Sequence, residues 1–214
     1  MEEWDKIAGN FDVTRRFPWK ECIEFIDKIK GICLDIGCGN GRHLIPAAEK
    51  CRLAIGFDIS IKMLEVARKN LGEKGMRNVM LVRGDARRLP FPDDFFDGIL
   101  FIAALHNIKG RDGRIKALEE VKRVLKPDGR ALISVWSKWQ ERWRRYFILH
   151  PFKGDIYVPW RRGVEVKRFY HLYSMRELKR DAKKAGLKIE RAWSVKKASR
   201  KYADNHFIVV KKMD

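Results

Sequence analysis

Ile32-Cys33-Leu34-Asp35-Ile36-Gly37-Cys38-Gly39-Asn40-Gly41 is the stretch on which the reading of this chain turns. A short, mostly apolar run after Gly31 leads into glycines at alternate positions, the pattern of a buried strand ending in a tight loop. Arg42 to Lys50 then reads as a short helix. Glycines between a strand and a helix allow sharp turns and let a ligand lie against main-chain N–H groups at the helix start.

Outward from this loop the same alternation repeats. Before it, Lys20 to Lys30 places Ile23, Phe25, Ile26 and Ile29 at helical spacing. After it, Leu53 to Phe57 predicts a second strand ending at Asp58, and Ser60 caps a helix running to about Lys74. Asn78 to Arg83 and Gly98 to Ile102 predict two more strands. A helix over Arg111 to Leu125 stops at Pro127-Asp128-Gly129 and is followed by a strand over Arg130 to Trp136. Strand and helix in alternation imply a parallel sheet covered on both faces. The ending differs: a helix from Met175 to Ala185 precedes strands over Leu187 to Val195 and His206 to Lys211. The basic turn joining those two is too short for a crossover, so they must pair antiparallel. The expectation is an α/β, Rossmann-like, doubly wound seven-stranded sheet, mostly parallel, with a C-terminal antiparallel hairpin. It forms a single domain over 1–214 with an insertion at 138–173.

The 214 residues are 45% hydrophobic, enough for one ordinary core. No apolar run approaches the roughly 18 residues of a membrane span, and Met1-Glu2-Glu3-Trp4-Asp5 is no signal peptide, so a soluble cytoplasmic protein is expected. Cys22, Cys33, Cys38 and Cys51 form no Cys-x-x-Cys pair and have no His at zinc spacing. No metal is expected; buried free thiols are, with a Cys22–Cys51 bridge as the alternative. Charge is more telling. The formal balance is +19, and residues 138–214 hold 22 Lys+Arg against 8 Asp+Glu. Such a field attracts polyanions. A heavily charged thermophile-like surface would explain many charges of both signs, but not this excess of one sign.

Asp58, at the tip of the second strand, is positioned to accept hydrogen bonds from ribose hydroxyls. A dinucleotide fingerprint would have glycine where this chain has Arg42, and Asp35 stands where a pyrophosphate would approach, so a cationic ligand suits the loop better. With Gly84-Asp85-Ala86 after the third strand, the pattern resembles the S-adenosylmethionine site of class I methyltransferases. That resemblance implies that Asp35, Gly37, Gly39 and Gly41 lie near the methionine moiety, that Asp58 binds the ribose, and that Asp85 and Ala86 hold the adenine. Thr14 to Trp19, Tyr157 to Trp160 and Arg168 to Tyr173 further resemble the tRNA methyltransferases that esterify 5-carboxymethyluridine at the wobble position, and the methyltransferase domain fused to an AlkB-type hydroxylase in animals. In that family a small zinc-binding activator adds along the exposed edge strand, here Asn78–Arg83. The family's aromatic near the sulfonium corresponds to Trp4, and Asn107 stands where it often has a second His.

A carboxylate acceptor is already a nucleophile at neutral pH and needs donors to hold it rather than a strong base. Arg15, His106, Tyr170, Arg168 and His171 are such donors, with Arg15 favoured as the clamp and His106 and Tyr170 beside it. The duller readings are an Arg15–Asp12 pair, a structural His106, and Tyr170 and His171 as packing residues. The fourth strand's end lacks the Asn/Asp-Pro-Pro-aromatic grip on planar amines, and no cysteine stands there to attack a pyrimidine ring. Residues 138–170 interleave nine Lys/Arg with nine aromatics, a composition suited to phosphates and unpaired bases. Arg142, Arg144, Arg145, Arg161, Arg162 and Arg168 are the expected RNA contacts. The alternatives are an amphipathic lid of a small-molecule methyltransferase, a membrane-surface patch, or an RNA-binding module that retains the fold without turnover.

Overall fold

The structure, a computed structural model, describes residues 2–213. Its helices are α1 (Glu2–Thr14), α2 (Lys20–Ile26), α3 (Leu44–Lys50), α4 (Ile61–Glu73), α5 (Arg111–Val124), α6 (Glu141–Leu149) and α7 (Met175–Lys184). The strands are β1 (Ile32–Ile36), β2 (Leu53–Asp58), β3 (Val79–Arg83), β4 (Phe96–Ile102), β5 (Leu125–Trp136), β6 (Asp155–Trp160), β7 (Val166–His171), β8 (Leu187–Val195) and β9 (Asn205–Lys212). Seven of them make one sheet in the order β3-β2-β1-β4-β5-β9-β8. β1 to β5 pair in parallel, while β9 runs antiparallel to both β5 and β8. The winding reverses between β1 and β4, which opens a crevice above their carboxyl ends.

Two apolar layers hold the sheet. On one face Ile32, Leu34 and Ile36 of β1 pack with Leu118 and Val121 of α5 and Leu178 and Ala182 of α7. On the other, Cys33 meets Ile26 of α2, Leu44 and Ala47 of α3, and Leu64 and Ala67 of α4. This is the period-two alternation of a strand covered on both sides. Each fully buried aliphatic side chain contributes about 1.5–3 kcal/mol, so these layers outweigh the surface ion pairs. α4 starts as expected, with the Ser60 hydroxyl accepting the Met63 N–H at 3.1 Å. Several boundaries move: α2 ends at Ile26 rather than Lys30, α3 begins at Leu44 rather than Arg42, β4 begins at Phe96 rather than Gly98, and β5 begins at Leu125, carrying Pro127-Asp128-Gly129 within it. The four cysteines are buried and free, so the Cys22–Cys51 bridge is not formed.

The periodicity of the sequence gives no sign of two parts. The N-terminal segment is a helix, α1, whose Ile7 and Ala8 join Met63 of α4 and Trp160 of β6 in a small cluster. The stretch 138–173 folds into α6 and the antiparallel hairpin β6–β7, a second small sheet. Phe147, Ile156, Val158, Tyr170 and Leu172 form its core, with Trp4 and Trp136 packed against it. α1 and this hairpin together roof the crevice. Among the described residues no helix is long and apolar enough to cross a membrane.

Candidate active site

A cleft of about 860 Å³ lies over the carboxyl ends of β1, β2 and β4, under α1 and the β6–β7 hairpin. Its floor is the loop after β1. Gly37, Gly39 and Gly41 all have positive φ, at 69°, 54° and 79°, a region that costs a side-chain-bearing residue about 1 kcal/mol or more. A Cβ on Gly37 would also stand 2.4 Å from the Ala104 Cβ. The loop is held to β2: the Gly37 N–H donates to the Phe57 carbonyl at 2.7 Å, and the Gly39 N–H to Asp58 Oδ2 at 2.9 Å. Asp58 Oδ1 accepts from the Ser60 N–H at 2.9 Å, so this carboxylate is fixed at the strand tip. Burial raises its pKa against the pull of those backbone donors.

Asp35 is fully enclosed, and its Oδ2 has no hydrogen-bond partner. Burial pushes its carboxyl up to about 8, with Arg42 opposing and Asp58 reinforcing the shift. A buried acid with an orphaned oxygen is a group waiting for a cationic donor. Asp85 is more open; its hydrogen bonds with Arg87 hold it below the usual range, and Ala86 lines the cleft beside it. Gly37, Gly39, Asp58, Asp85 and Ala86 line the cleft and fit S-adenosylmethionine, with acids for its polar groups and a floor without side chains for its bulk; Asp35 and Gly41 lie behind that wall, Gly41 against Ala67 of α4. α1 is tied across this half by Asp12, whose Oδ1 accepts Asn40 Nδ2 and Asn70 Nδ2, each at 2.8 Å. Asp5 accepts the Ser60 hydroxyl at 2.5 Å.

The opposite half of the cleft is aromatic and cationic. Trp136, at the end of β5, stacks on Tyr170 of β7 with centroids 4.5 Å apart and an 18° interplanar angle. His106, in the turn after β4, lies 5.2 Å from Tyr170 between ring centroids. Its Nδ1 accepts the Trp136 N–H at 2.9 Å, which puts the ring proton on Nε2, and Nε2 has no partner. Burial lowers the His106 pKa to about 3, so the ring is a neutral donor. Arg168 Nη1 donates to the Tyr170 hydroxyl at 2.7 Å, and its guanidinium lies over Trp160, Tyr170 and Trp4 at 4.9, 5.2 and 5.4 Å. Arg15 donates to Thr14 Oγ1 at 2.8 Å and lies over Phe11. Burial lowers its pKa. Neither Arg15 nor Arg168 has an ion-pair partner among the described residues.

Three expectations change. Arg168 is 5% exposed and belongs to the cleft, because β7 turns it inward beside Tyr170; it is not a surface phosphate contact. His171, three residues further along β7, lies outside the cleft: Asp155 Oδ1 holds its Nδ1 at 2.6 Å and Glu177 Oε1 its Nε2 at 2.8 Å. The Arg15–Asp12 pair does not form, since Asp12 is taken by the two asparagines. Arg142 lines the mouth of the cleft, while Arg144, Arg145, Arg161 and Arg162 stand outside its walls. Sequence reasoning missed Trp136 and Asn40. The position of Trp136 at the carboxyl end of a central strand was the available signal for it; Asn40 carried none beyond membership of the glycine loop.

A fold wound in this order around such a cleft is that of an S-adenosylmethionine-dependent methyltransferase. The family described as Methyltransferase domain matches residues 34–133. An S-adenosylmethionine-dependent methyltransferase from Methanosarcina mazei has the same fold, with a TM-score of 0.76 at 21% identity, over 92% of this chain and 99% of that one. A chain in the complex between the Haloferax volcanii Trm112 methyltransferase activator and a methyltransferase matches with a TM-score of 0.73 at 16% identity, over 98% of this chain and 97% of that one. The tRNA (carboxymethyluridine(34)-5-O)-methyltransferase of Schizosaccharomyces pombe is 31% identical over 86% of this chain and 86% of its own length. The chain belongs to the family of that enzyme.

Proposed function

We propose that this methyltransferase esterifies the carboxylate of 5-carboxymethyluridine at the wobble position of tRNA. The observation that carries the reading is Arg168: a guanidinium enclosed by three aromatic rings at the cleft, with no carboxylate among the described residues to neutralise it. A buried charge without a partner is costly, and an anionic acceptor removes that cost. The name of the fission yeast relative supports the same acceptor.

Bound S-adenosylmethionine supplies an electrophilic methyl group. Asp35 would hold its amino group, Asp58 its ribose hydroxyls, and Asp85 with the Ala86 backbone its adenine. On the acceptor side the substrate carboxylate is ionised at neutral pH, so no residue has to remove a proton. Arg168 and Arg15 grip one face of it and fix the line of approach. His106 donates from Nε2 without adding charge, and Tyr170 keeps Arg168 and Trp136 in register. The aromatic walls exclude water, which would otherwise solvate the carboxylate and blunt its nucleophilicity.

Arg142 at the mouth of the cleft, and Arg144, Arg145, Arg161 and Arg162 outside it, neutralise phosphates of the anticodon arm. A small zinc-binding activator joins the edge of the sheet at β3, where Met80 is 54% exposed on a largely apolar outer strand. The complex in which the Haloferax volcanii chain is seen with its activator supports that partner. The test is transfer of labelled methyl groups into tRNA bearing 5-carboxymethyluridine, with and without the activator, followed by nucleoside mass spectrometry. An alkali-labile methyl ester on the wobble uridine is the expected product. Cofactor binding with no label in that tRNA, even with activator present, would overturn the acceptor.

A further inference from the structure

Resting on the tRNA reading, we infer that the β8–β9 loop, residues 196–202, is a preformed cationic rim that grips the RNA backbone beside the nucleotide in the cleft. The loop reads Lys196-Lys197-Ala198-Ser199-Arg200-Lys201-Tyr202, with four cations and no acid. Three observations make it more than a charged turn.

The first is rigidity. Asp204 Oδ1 accepts the Lys197 N–H at 2.7 Å, and its Oδ2 accepts the N–H groups of Ala198 and Ser199 at 2.7 and 2.8 Å. One buried carboxylate thus fixes three successive residues, so little chain entropy is left to lose when a ligand binds. The second is position. Lys197, Ala198 and Ser199 line the cleft, as do Gln140, Arg142 and Trp143 at the start of α6. The loop is fastened to that helix: Glu141 Oε1 accepts the Lys201 N–H at 2.5 Å, and Arg144 lies 4.4 Å over the Tyr202 ring. Loop and helix form one wall of the mouth. The third is the state of the charges. Lys197 is engaged by Glu21, but Lys196, Arg200 and Lys201 are exposed and have no carboxylate partner among the described residues.

A base placed in the cleft as part of a polynucleotide brings its flanking phosphates to the two sides of the mouth. The hairpin tip carries Arg161 and Arg162, and its Gly163 lies against Asn10 of α1, the helix over the cleft. The β8–β9 loop supplies further cations at the α6 wall of the mouth. The acceptor strand therefore crosses the cleft between two basic rims, and the nucleotides flanking the acceptor are held by contacts that no free nucleoside can make.

The experiment measures tRNA affinity against salt for the wild type and for Lys196→Gln/Arg200→Gln/Lys201→Gln, with S-adenosylmethionine affinity as the control for folding. Each lost single-strand phosphate contact lowers the slope of log K against log salt by roughly 0.7, so the triple variant is expected to lose about 2 from it. Cofactor affinity is expected to stay unchanged. An unchanged slope in a variant that still binds the cofactor would overturn the rim while leaving the tRNA reading intact. A wild type with no salt-dependent tRNA binding would overturn both. Asp204→Asn supplies a second reading: it keeps every cation but loosens the loop, and weaker tRNA affinity with an unchanged slope supports the preformed geometry.

Discussion

The two halves of the cleft are built in opposite ways. The acidic half is local: Asp35 and the glycines belong to one strand and its loop, and Asp58 follows at the tip of the adjacent strand. The aromatic half is assembled from distant pieces, with Arg15 after α1, His106 after β4, Trp136 ending β5, and Arg168 with Tyr170 on β7. The charges differ as well. Carboxylates line the first half and unpaired guanidiniums the second, so each half lacks the ion that its ligand would bring. On the proposed function, the difference teaches that binding a sulfonium cofactor would be a property of the sheet edge, whereas choosing an anionic acceptor would be a property of the parts laid over it.

The comparison breaks most sharply at Arg168. Arg168→Met removes one partner of a buried charge pair, a loss of about 2–5 kcal/mol. The expected result is a fall of roughly 30-fold to several thousand-fold in kcat/KM for the carboxylate-bearing tRNA, with S-adenosylmethionine affinity unchanged. Equal losses in both would merge the two halves into one site.

Asp35→Asn should do the reverse. Losing a charge-assisted contact of about 1.5–3 kcal/mol weakens cofactor binding by roughly 10- to 150-fold, as calorimetry would report. The same change alters stability with pH. In the folded wild type the Asp35 carboxyl is raised to about 8, so the native state holds a proton that the unfolded chain releases near 4. Stability from this group is full below the unfolded pKa and is lost as pH rises toward 8. Urea melts across that range should show the decline in the wild type and less of it in Asp35→Asn. Cofactor affinity of the wild type should strengthen over the same interval, as Asp35 ionises.

The smallest effect is expected at His106. His106→Leu removes one neutral donor, worth about 0.5–1.5 kcal/mol, so kcat should fall by roughly two- to tenfold. Because burial takes the ring's pKa to about 3, the wild-type pH–rate profile should carry no histidine inflection near 6.5 that the variant abolishes. Such an inflection would make His106 a titrating base and sink the donor role.

Legibility followed the same division. The alternation of strands and helices and the terminal hairpin could be read because each element carries its own period, as Ile32, Leu34 and Ile36 do on one face of β1. The edge position of Asn78–Arg83 was implied by the family resemblance, and the strand order places β3 there. α1 escaped notice because its apolar side chains serve several partners, Trp160 on one side and Met63 on another, which blurs the stripe a two-body helix shows. Arg168 was read both as a carboxylate donor and as an RNA contact, because a basic residue in a basic segment cannot be told buried from solvated unless the neighbouring strand is known. In β6–β7 the pairing of Val158 with Arg168 and of Ile156 with Tyr170 fixes which alternate residues turn inward.

By itself the sequence determined the architecture and the cofactor half, since backbone turns, glycine conformations and strand-tip acids act over short stretches of chain. Tertiary structure alone decided the acceptor half. Only when α1, the end of β5 and the β6–β7 hairpin pack together does Arg168 become buried with no ion-pair partner among the described residues, and burial is what would let such a guanidinium favour an anion.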